Sequence, residues 1–255
     1  MQQLRTLGEV ADASRADPQC MWAAQRLTAG GVAWADGGAV VVGCPALSGR
    51  DRLIVRGPPG AAAGLVRAAI EVLGPTFVPI GDPSLMASLL AQNSWLVPGN
   101  LFGWMDGVRL TRREASHKVR WLARQEWPDV GRVLGAAFPD SYARPGVADV
   151  RRWAGVMADS GWLTSIAADA WSAPGIGFLA GVAVLPEVRR AGQGRDVCAF
   201  VLDALLAARG RVALMVGNSN EAAIRMYVGL GLSYRLQEVL RVERRPGGRG
   251  RPSVG

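Results

Sequence analysis

Two glycine-bearing turns set the frame for what this chain can fold into. Gly60 and Gly194 each follow a short apolar run and each open an amphipathic stretch. In both places a second apolar run, a short helical segment and a last strand-like segment come next, in the same order. The two glycines are offset by 134 residues, and Val78 and Leu214 in the following runs by 136. Strand, turn, helix and strand in this rhythm is the signature of α/β units, and it also arises without common ancestry. The near-constant offset points to an internal pseudo-repeat, although identity between the copies is slight.

Periodicity assigns the elements. Residues 1 to about 35 read as a helix-bearing lead-in. AVVVGCPAL and DRLIVRG read as strands joined by a polar turn at Ser48–Asp51. AAAGLVRAAIEVLG carries Leu65, Ala68, Ala69 and Val72 at helical spacing. TFVPI reads as a strand and PSLMASLLAQN as a short helix with Asp82 as N-cap and Pro83 first. SWLVPGNLFGWMDG closes the first half, and the polar segment 110–119 is the expected linker. In the second half VRWLA, WLTSIAADAW, FLAGVAVLP, RVALMV and LSYRLQEVLRV are expected strands. PDVGRVLGAAF, GVADVRRWAGVMAD, RDVCAFVLDALLAA and NEAAIRMYVGLG are expected helices. FLAGVAVLP is apolar on both faces, which predicts a central strand.

Composition excludes several classes. At 255 residues, with 49% hydrophobic and 20% charged residues, the chain can bury a sizeable core as one large domain or two small ones. No apolar run reaches the roughly 18 residues of a membrane span, and the polar start lacks the pattern of a secretory signal. Cys20, Cys44 and Cys198 are odd in number and widely spaced, which argues against a disulfide framework. These features predict a reduced, cytoplasmic protein without membrane association. The net charge is +8, and the end, RVERRPGGRGRPSVG, carries five arginines against one glutamate. Residues 243–255 are expected to be a disordered basic tail. A solvated end is the plain reading, and an arm toward tRNA or another phosphate-rich partner the sharper one.

The stretch VRRAGQGRDV carries the chemistry. A strand ending near Leu185 passes into a helix starting near Arg195, and a helix N-terminus offers free N–H groups and positive potential. Gly192 and Gly194 allow left-handed backbone and close approach to a ligand. Arg189, Arg190 and Arg195 add charge-assisted contacts. With Ala191 and Gln193 completing the loop, the result is an anion cradle suited to a pyrophosphate. Taken alone, such a loop also fits an ordinary strand-to-helix turn.

About 26 residues after Gly194 comes NEAAIRMYVGLGL. Together the two stretches resemble the GNAT superfamily of acyl-CoA-dependent N-acyltransferases, over roughly residues 118–242. Arg189, Gly192 and Gly194 match its R/Q-x-x-G-x-G/A loop. Asn220, Ala223, Tyr227, Gly231 and Leu232 match its N-x-x-A-x-x-x-Y-x-x-x-G-[FL] pattern. The resemblance implies a GNAT fold, a mixed central sheet flanked by helices (α/β, or α+β), here as tandem lobes. A degenerate N-terminal lobe would cover 1–112 and a catalytic lobe 118–242.

It also implies acetyl-CoA or another acyl-CoA as co-substrate, its pyrophosphate on residues 189–195. Asn220 would lie beside the pantetheine, and Val182, Ala183 and Val184 would run along that arm, in a slot opened by splay from RVALMV. A backbone N–H of the same strand would steady the oxyanion, and Tyr227 would protonate the leaving thiolate. Many members of the superfamily carry a carboxylate five residues before the Asn, where this chain has Met215. Glu126, Asp140, Asp169 and Glu187 are the replacement candidates for a base, each also readable as a cap or surface charge. Water relay or a neutral amine would remove the need for one.

Other chemistries fit poorly. His117 is the sole histidine, and with scattered cysteines it makes no usual zinc site, so no metal is expected. There is no G-x-S-x-G elbow and no P-loop lysine. Nine tryptophans are spread along the chain, and Trp162 and Trp171 are candidates for a pocket wall as well as for the core. The expected function is transfer of an acyl group, acetyl first, to the amine of a small molecule. An acyl- or aminoacyl-tRNA as donor or acceptor, and a non-catalytic CoA-binding module, are the alternatives.

Overall fold

The computed structural model describes residues 1–111 and 114–243. The first half runs β1 (Gln2–Leu4), α1 (Leu7–Ser14), α2 (Pro18–Ala23), β2 (Val32–Asp36), β3 (Ala39–Leu47), β4 (Arg50–Arg56), α3 (Pro59–Leu73), β5 (Val78–Gly81), α4 (Pro83–Gln92) and β6 (Leu96–Gly107). The second runs β7 (Val119–Trp121), α5 (Trp127–Ala137), β8 (Val150–Met157), β9 (Leu163–Ala170), β10 (Gly177–Val184), α6 (Gln193–Arg209), β11 (Val212–Gly217), α7 (Glu221–Gly229) and β12 (Ser233–Val242). Of the expected basic tail, residues 244–255 lie outside those described, as do residues 112 and 113 of the expected linker.

All strands join one twelve-stranded mixed sheet in the order β1-β2-β3-β4-β5-β12-β6-β11-β10-β9-β8-β7. The α/β fold read from the sequence is therefore present, and the pseudo-repeat is structural. β4, α3 and β5 correspond to β10, α6 and β11, and both strand pairs are parallel. The last strand of each half crosses over: β6 pairs with β11, and β12 pairs with β5. Between them β6 and β12 pair with each other over most of their length. No boundary in the sheet falls at the expected linker.

Packing follows from alternation along the strands. Trp104 of β6 and Ala213 of β11 face a core shared by both halves, under α1, α2 and α5. Met105 and Leu214, one residue on, face the opposite side under α6 and α7, while Leu53, Val55 and Leu240 lie under α3 and α4. Trp22 of α2 stacks on Phe178 of β10 at 4.6 Å between ring centroids and lies 5.5 Å from Trp104, which ties the halves together.

Three expectations are corrected. GVADVRRWAGVMAD forms no helix; Val150–Met157 is the strand β8, between β7 and β9. Its Trp153 enters one core and Ala154 and Val156 the other, so a run apolar on both sides belongs inside a sheet, which short periodicity cannot tell from a buried helix. The lead-in also holds strands β1 and β2. Asp82 stands at the N-cap of α4, but its side chain makes no capping bond.

Asp17 links three elements. It caps α2 by accepting the N–H groups of Gln19 and Cys20, both at 3.0 Å, and receives Arg56 Nε of β4 at 3.2 Å and Arg235 Nη1 of β12 at 2.9 Å. Burial pushes its carboxyl up, but the Arg56 charge and the bonds from Arg235 and Cys20 outweigh this, and the pKa is lowered. A depressed carboxylate stabilises the fold above the unfolded pKa of about 3.9 and loses that contribution as pH falls through its folded value. Asp17→Ala is expected to cost on the order of 3 kcal/mol at pH 7. In urea melts across pH, the gap from wild type should narrow below about pH 4.

Candidate functional site

The sheet forks between β10 and β11. Their parallel pairing holds for Gly177, Phe178 and Leu179 against Val212, Ala213 and Leu214, and stops there. Beyond that point β10 stays on β9, through Ala183 and Val184, while β11 stays on β6 up to Gly217. A bulge in β10 between Ala180 and Ala183 turns the strand away. Gly181 sits in it at φ 62°, and a Cβ there would lie 2.5 Å from the Trp153 ring, so the bend requires glycine. The fork opens a cleft of about 720 Å³.

The cleft gathers most of the residues singled out from the sequence. Val182, Ala183 and Val184 form one wall, and Arg189, Arg190 and Arg195 with Gly192, Gln193 and Gly194 form one end. Asn220 and Tyr227 line the opposite wall with Met215. Of the expected binding residues only Ala191 is outside the lining. No motif or spacing singled out Phe138, which closes α5 and also lines the cleft.

At the loop the geometry is that of an anion cradle. Arg190 and Gly192 both adopt left-handed backbone, at φ 65° and 88°. Among the described residues, the amides of Arg190 through Gly194 have no hydrogen-bond acceptor, and they converge at the start of the 17-residue helix α6. The Gln193 side chain turns inward: its Oε1 accepts from Thr164 and Ser165 hydroxyls at 2.8 and 2.7 Å, fastening the loop to β9. Arg189 Nε donates to the carbonyl of Val184 at 3.2 Å, closing the end of β10.

His117, expected in a free linker, is docked here. Ser116 and His117 amides donate to Asp196 Oδ2 of α6, and His117 Nδ1 lies 2.8 Å from the same oxygen. The contact is tertiary, so spacing carried no trace of it.

Asn220 caps α7, its Oδ1 accepting from the Ala223 N–H at 3.1 Å, which leaves the Nδ2 donors for a ligand. Tyr227 is 5% exposed. Its hydroxyl accepts the Cys198 Sγ–H at 3.9 Å, so the phenolic proton itself remains free to be donated. Burial pushes Tyr227 well above the usual tyrosine range, with the neighbouring Cys198 adding to the effect, and burial pushes Cys198 up to about 12. Both groups stay protonated at neutral pH.

None of the four base candidates lines the cleft. Glu126 is paired with Arg120, whose bond together with the Ala123 N–H holds its carboxyl down to about 2. Asp169 accepts from Ser172 Oγ and Arg152 Nε, while Asp140 and Glu187 are exposed. Among the described residues, the cleft lining contains no Asp, Glu or His. Trp162 is exposed over Arg132, and Trp171 is buried, so both tryptophans stand apart from the cleft. Among the described residues no group of three or more His, Cys, Asp or Glu is placed to hold a metal, and no helix is long and apolar enough to cross a membrane.

Comparison with known proteins bears on the fold. Residues 157–242, which span the forked strands and α7, match the family model described as FR47-like protein. A GCN5-related N-acetyltransferase from Kribbella flavida superposes with a TM-score of 0.57 at 18% identity, covering 89% of this chain and 95% of its own. An acetyltransferase from the GNAT family of Colwellia psychrerythraea gives 0.55 at 12% identity, over 95% and 99%. A GCN5-related N-acetyltransferase-like protein from Streptococcus suis 89/1591 gives 0.53 at 11%, over 92% and 100%. No curated protein sequence matches the chain. The likeness extends across both halves, so the two-half architecture is shared with these folds.

The protonation of Tyr227 can be read directly. The chain has three tyrosines. In an alkaline titration followed by phenolate absorbance, Tyr227→Phe is expected to match wild type through about pH 10 to 11. A smaller rise in the variant over that range would place Tyr227 among the ordinary phenols.

Proposed function

On the premise of a GCN5-related N-acetyltransferase fold, we propose that this protein transfers an acyl group, acetyl first, from acyl-CoA directly to an amine of a small molecule. The observation that carries the reading is the fork itself. One cleft holds a row of unpaired amides at a helix N-terminus, a strand edge without a partner, and a buried, protonated tyrosine.

In this reading the amides of residues 190–194 and the guanidiniums of Arg190 and Arg195 bind the pyrophosphate. Val182 to Val184 hydrogen-bond the pantetheine through the backbone edge that faces the fork, in place of β11. That same edge presents an N–H to the thioester oxygen as it gains negative charge. The amine nitrogen bonds to the thioester carbon and the carbon–sulfur bond then breaks. Tyr227 gives its proton to the departing thiolate, whose conjugate acid is stronger than a buried phenol, so the transfer is timely only as the sulfur becomes charged and close. The phenol O–H bond breaks as the S–H bond forms, the tyrosinate regains a proton from solvent once CoA has left, and the Cys198 thiol keeps the tyrosine oxygen oriented.

The amine must lose a proton as well, and among the described residues no carboxylate or histidine lines the cleft to take it. The acceptor therefore reacts from its neutral form, and its proton passes to solvent.

Calorimetric titration with acetyl-CoA should show saturable binding to wild type and none to the Arg190→Glu/Gly192→Asp double variant. Unchanged binding by the variant would remove the loop from the site. Tyr227→Phe should lower kcat by roughly 100-fold with little change in KM for acetyl-CoA; a pure KM effect would make the residue structural. With two amines of different basicity, the midpoint of log kcat/KM against pH should follow the pKa of each amine. A midpoint common to both would reveal an enzyme base.

A further inference from the structure

A second cavity, of about 460 Å³, adjoins the first and shares Met215, Val216 and Gly217 of β11 with it. It is lined by residues of the consecutive strands β4, β5, β12, β6 and β11, together with Tyr142 from the loop after α5. Three arginines line it: Arg50, Arg52 and Arg241.

Arg52 is the unusual one. The residue is 7% exposed, yet among the described residues no carboxylate lies within ion-pair distance of it. Its Nε donates to the Leu47 carbonyl at 2.8 Å and its Nη2 to Ser48 Oγ at 3.1 Å, both neutral acceptors. Nη1 makes no hydrogen bond to the described protein atoms. Burial, with the adjacent Arg50 charge, pushes the guanidinium down to about 10, so it remains a cation at neutral pH. Among the described residues, the two arginines at the rim are also without carboxylate partners. Arg50 donates Nε to the Tyr142 hydroxyl at 2.7 Å, and Arg241 donates Nη2 to the Pro98 carbonyl at 3.2 Å.

Arginines that brace this sheet are treated differently. Arg56 and Arg235 meet Asp17, and Arg211 meets Asp106. A buried cation held only by neutral groups is costly unless an anion completes it. A planar guanidinium with a free edge is suited to a carboxylate or phosphate.

We propose that this cavity is the acceptor site and that it selects amines bearing an anionic group, a carboxylate or a phosphate, held by Arg52 with Arg50 and Arg241 at the rim. The proposal rests on the acyl-transfer reading, and its structural link to the fork is that Met215, Val216 and Gly217 of β11 line both cavities. The anion enters with its charge matched by the guanidiniums, and its amine reaches the cleft past Met215. Met215, at the place of the superfamily's usual carboxylate, then has a second consequence: a carboxylate there would oppose an anionic acceptor.

The test uses the full chain with acetyl-CoA and five amines: glycine, β-alanine and O-phosphoethanolamine, with glycinamide and ethanolamine as neutral counterparts. Thiol release gives kcat/KM, and calorimetry gives binding of the same amines to the CoA complex and to the free protein. An anionic member is expected to exceed its neutral counterpart by about tenfold or more, the loss expected for one charge-assisted bond. Arg52→Met should abolish that preference while leaving CoA binding unchanged, and Arg52→Lys should restore part of it. Preference for glycine or β-alanine assigns the anion as carboxylate, and preference for O-phosphoethanolamine assigns it as phosphate. Equal treatment of anionic and neutral amines, or discrimination that survives Arg52→Met, overturns the proposal. If acetyl-CoA does not bind, the acyl-transfer reading fails, and amine binding to the free protein still decides whether the cavity takes anions. Arg241→Ala, at the exposed rim, gives a milder version of the same loss should Arg52→Met not fold.

Discussion

The pairing of β6 with β12 is the constraint on which the rest depends. Each is the last strand of one half, and each lies beside the other half's sheet. Neither half completes its own sheet, so the hydrogen-bond ladders and the shared core under α1, α2 and α5 form together or not at all. The crossing also anchors β11. Because β6 holds β11 along its whole length, β11 can part from β10 without leaving an unsupported strand in the middle of the molecule.

The two copies of the repeat diverge at this point, and the cause lies in a few residues. In the second copy a glycine bulge bends β10, two left-handed residues expose amides, and α6 starts with bare N–H groups. In the first copy Pro58 and Pro59 occupy the turn before α3, which removes two amides from the corresponding position. β4 and β5 pair over three residues, Arg52 with Val78 to Ile54 with Ile80, as β10 and β11 do, but they end soon after, β4 at Arg56 and β5 at Gly81. The first copy supplies wall rather than cradle: β4 brings Arg50 and Arg52 to the second cavity.

Charge is arranged in keeping with this division. Carboxylates meet arginines where elements must be braced, as Asp17 does between α2, β4 and β12. They are missing from the linings of both cavities, where arginines remain without them. A molecule rich in arginine has no shortage of cations to place. What distinguishes the cavities is the withholding of acids, which keeps the local potential positive for anionic ligands.

The sequence by itself determined most of the elements and one candidate binding surface. Strands such as Ala39–Leu47 and helices such as α6 announce themselves because side-chain period and turn residues are local properties. The motif residues from Arg189 to Tyr227 were legible for the same reason, since loop, strand and helix N-terminus follow one another along the chain. Only the tertiary structure decided that Val150–Met157 is a strand, because burial on both faces depends on neighbours far away. It alone exchanged β6 and β12, docked His117 on Asp196, and set Cys198 on the Tyr227 hydroxyl. Arg50, Arg52 and Arg241 looked like three unremarked arginines among many, two of them nearly 200 residues from the third. They become a site because strand order brings β4 and β12 to one end of the sheet, and pairing between distant strands is a cooperative property that no local spacing encodes.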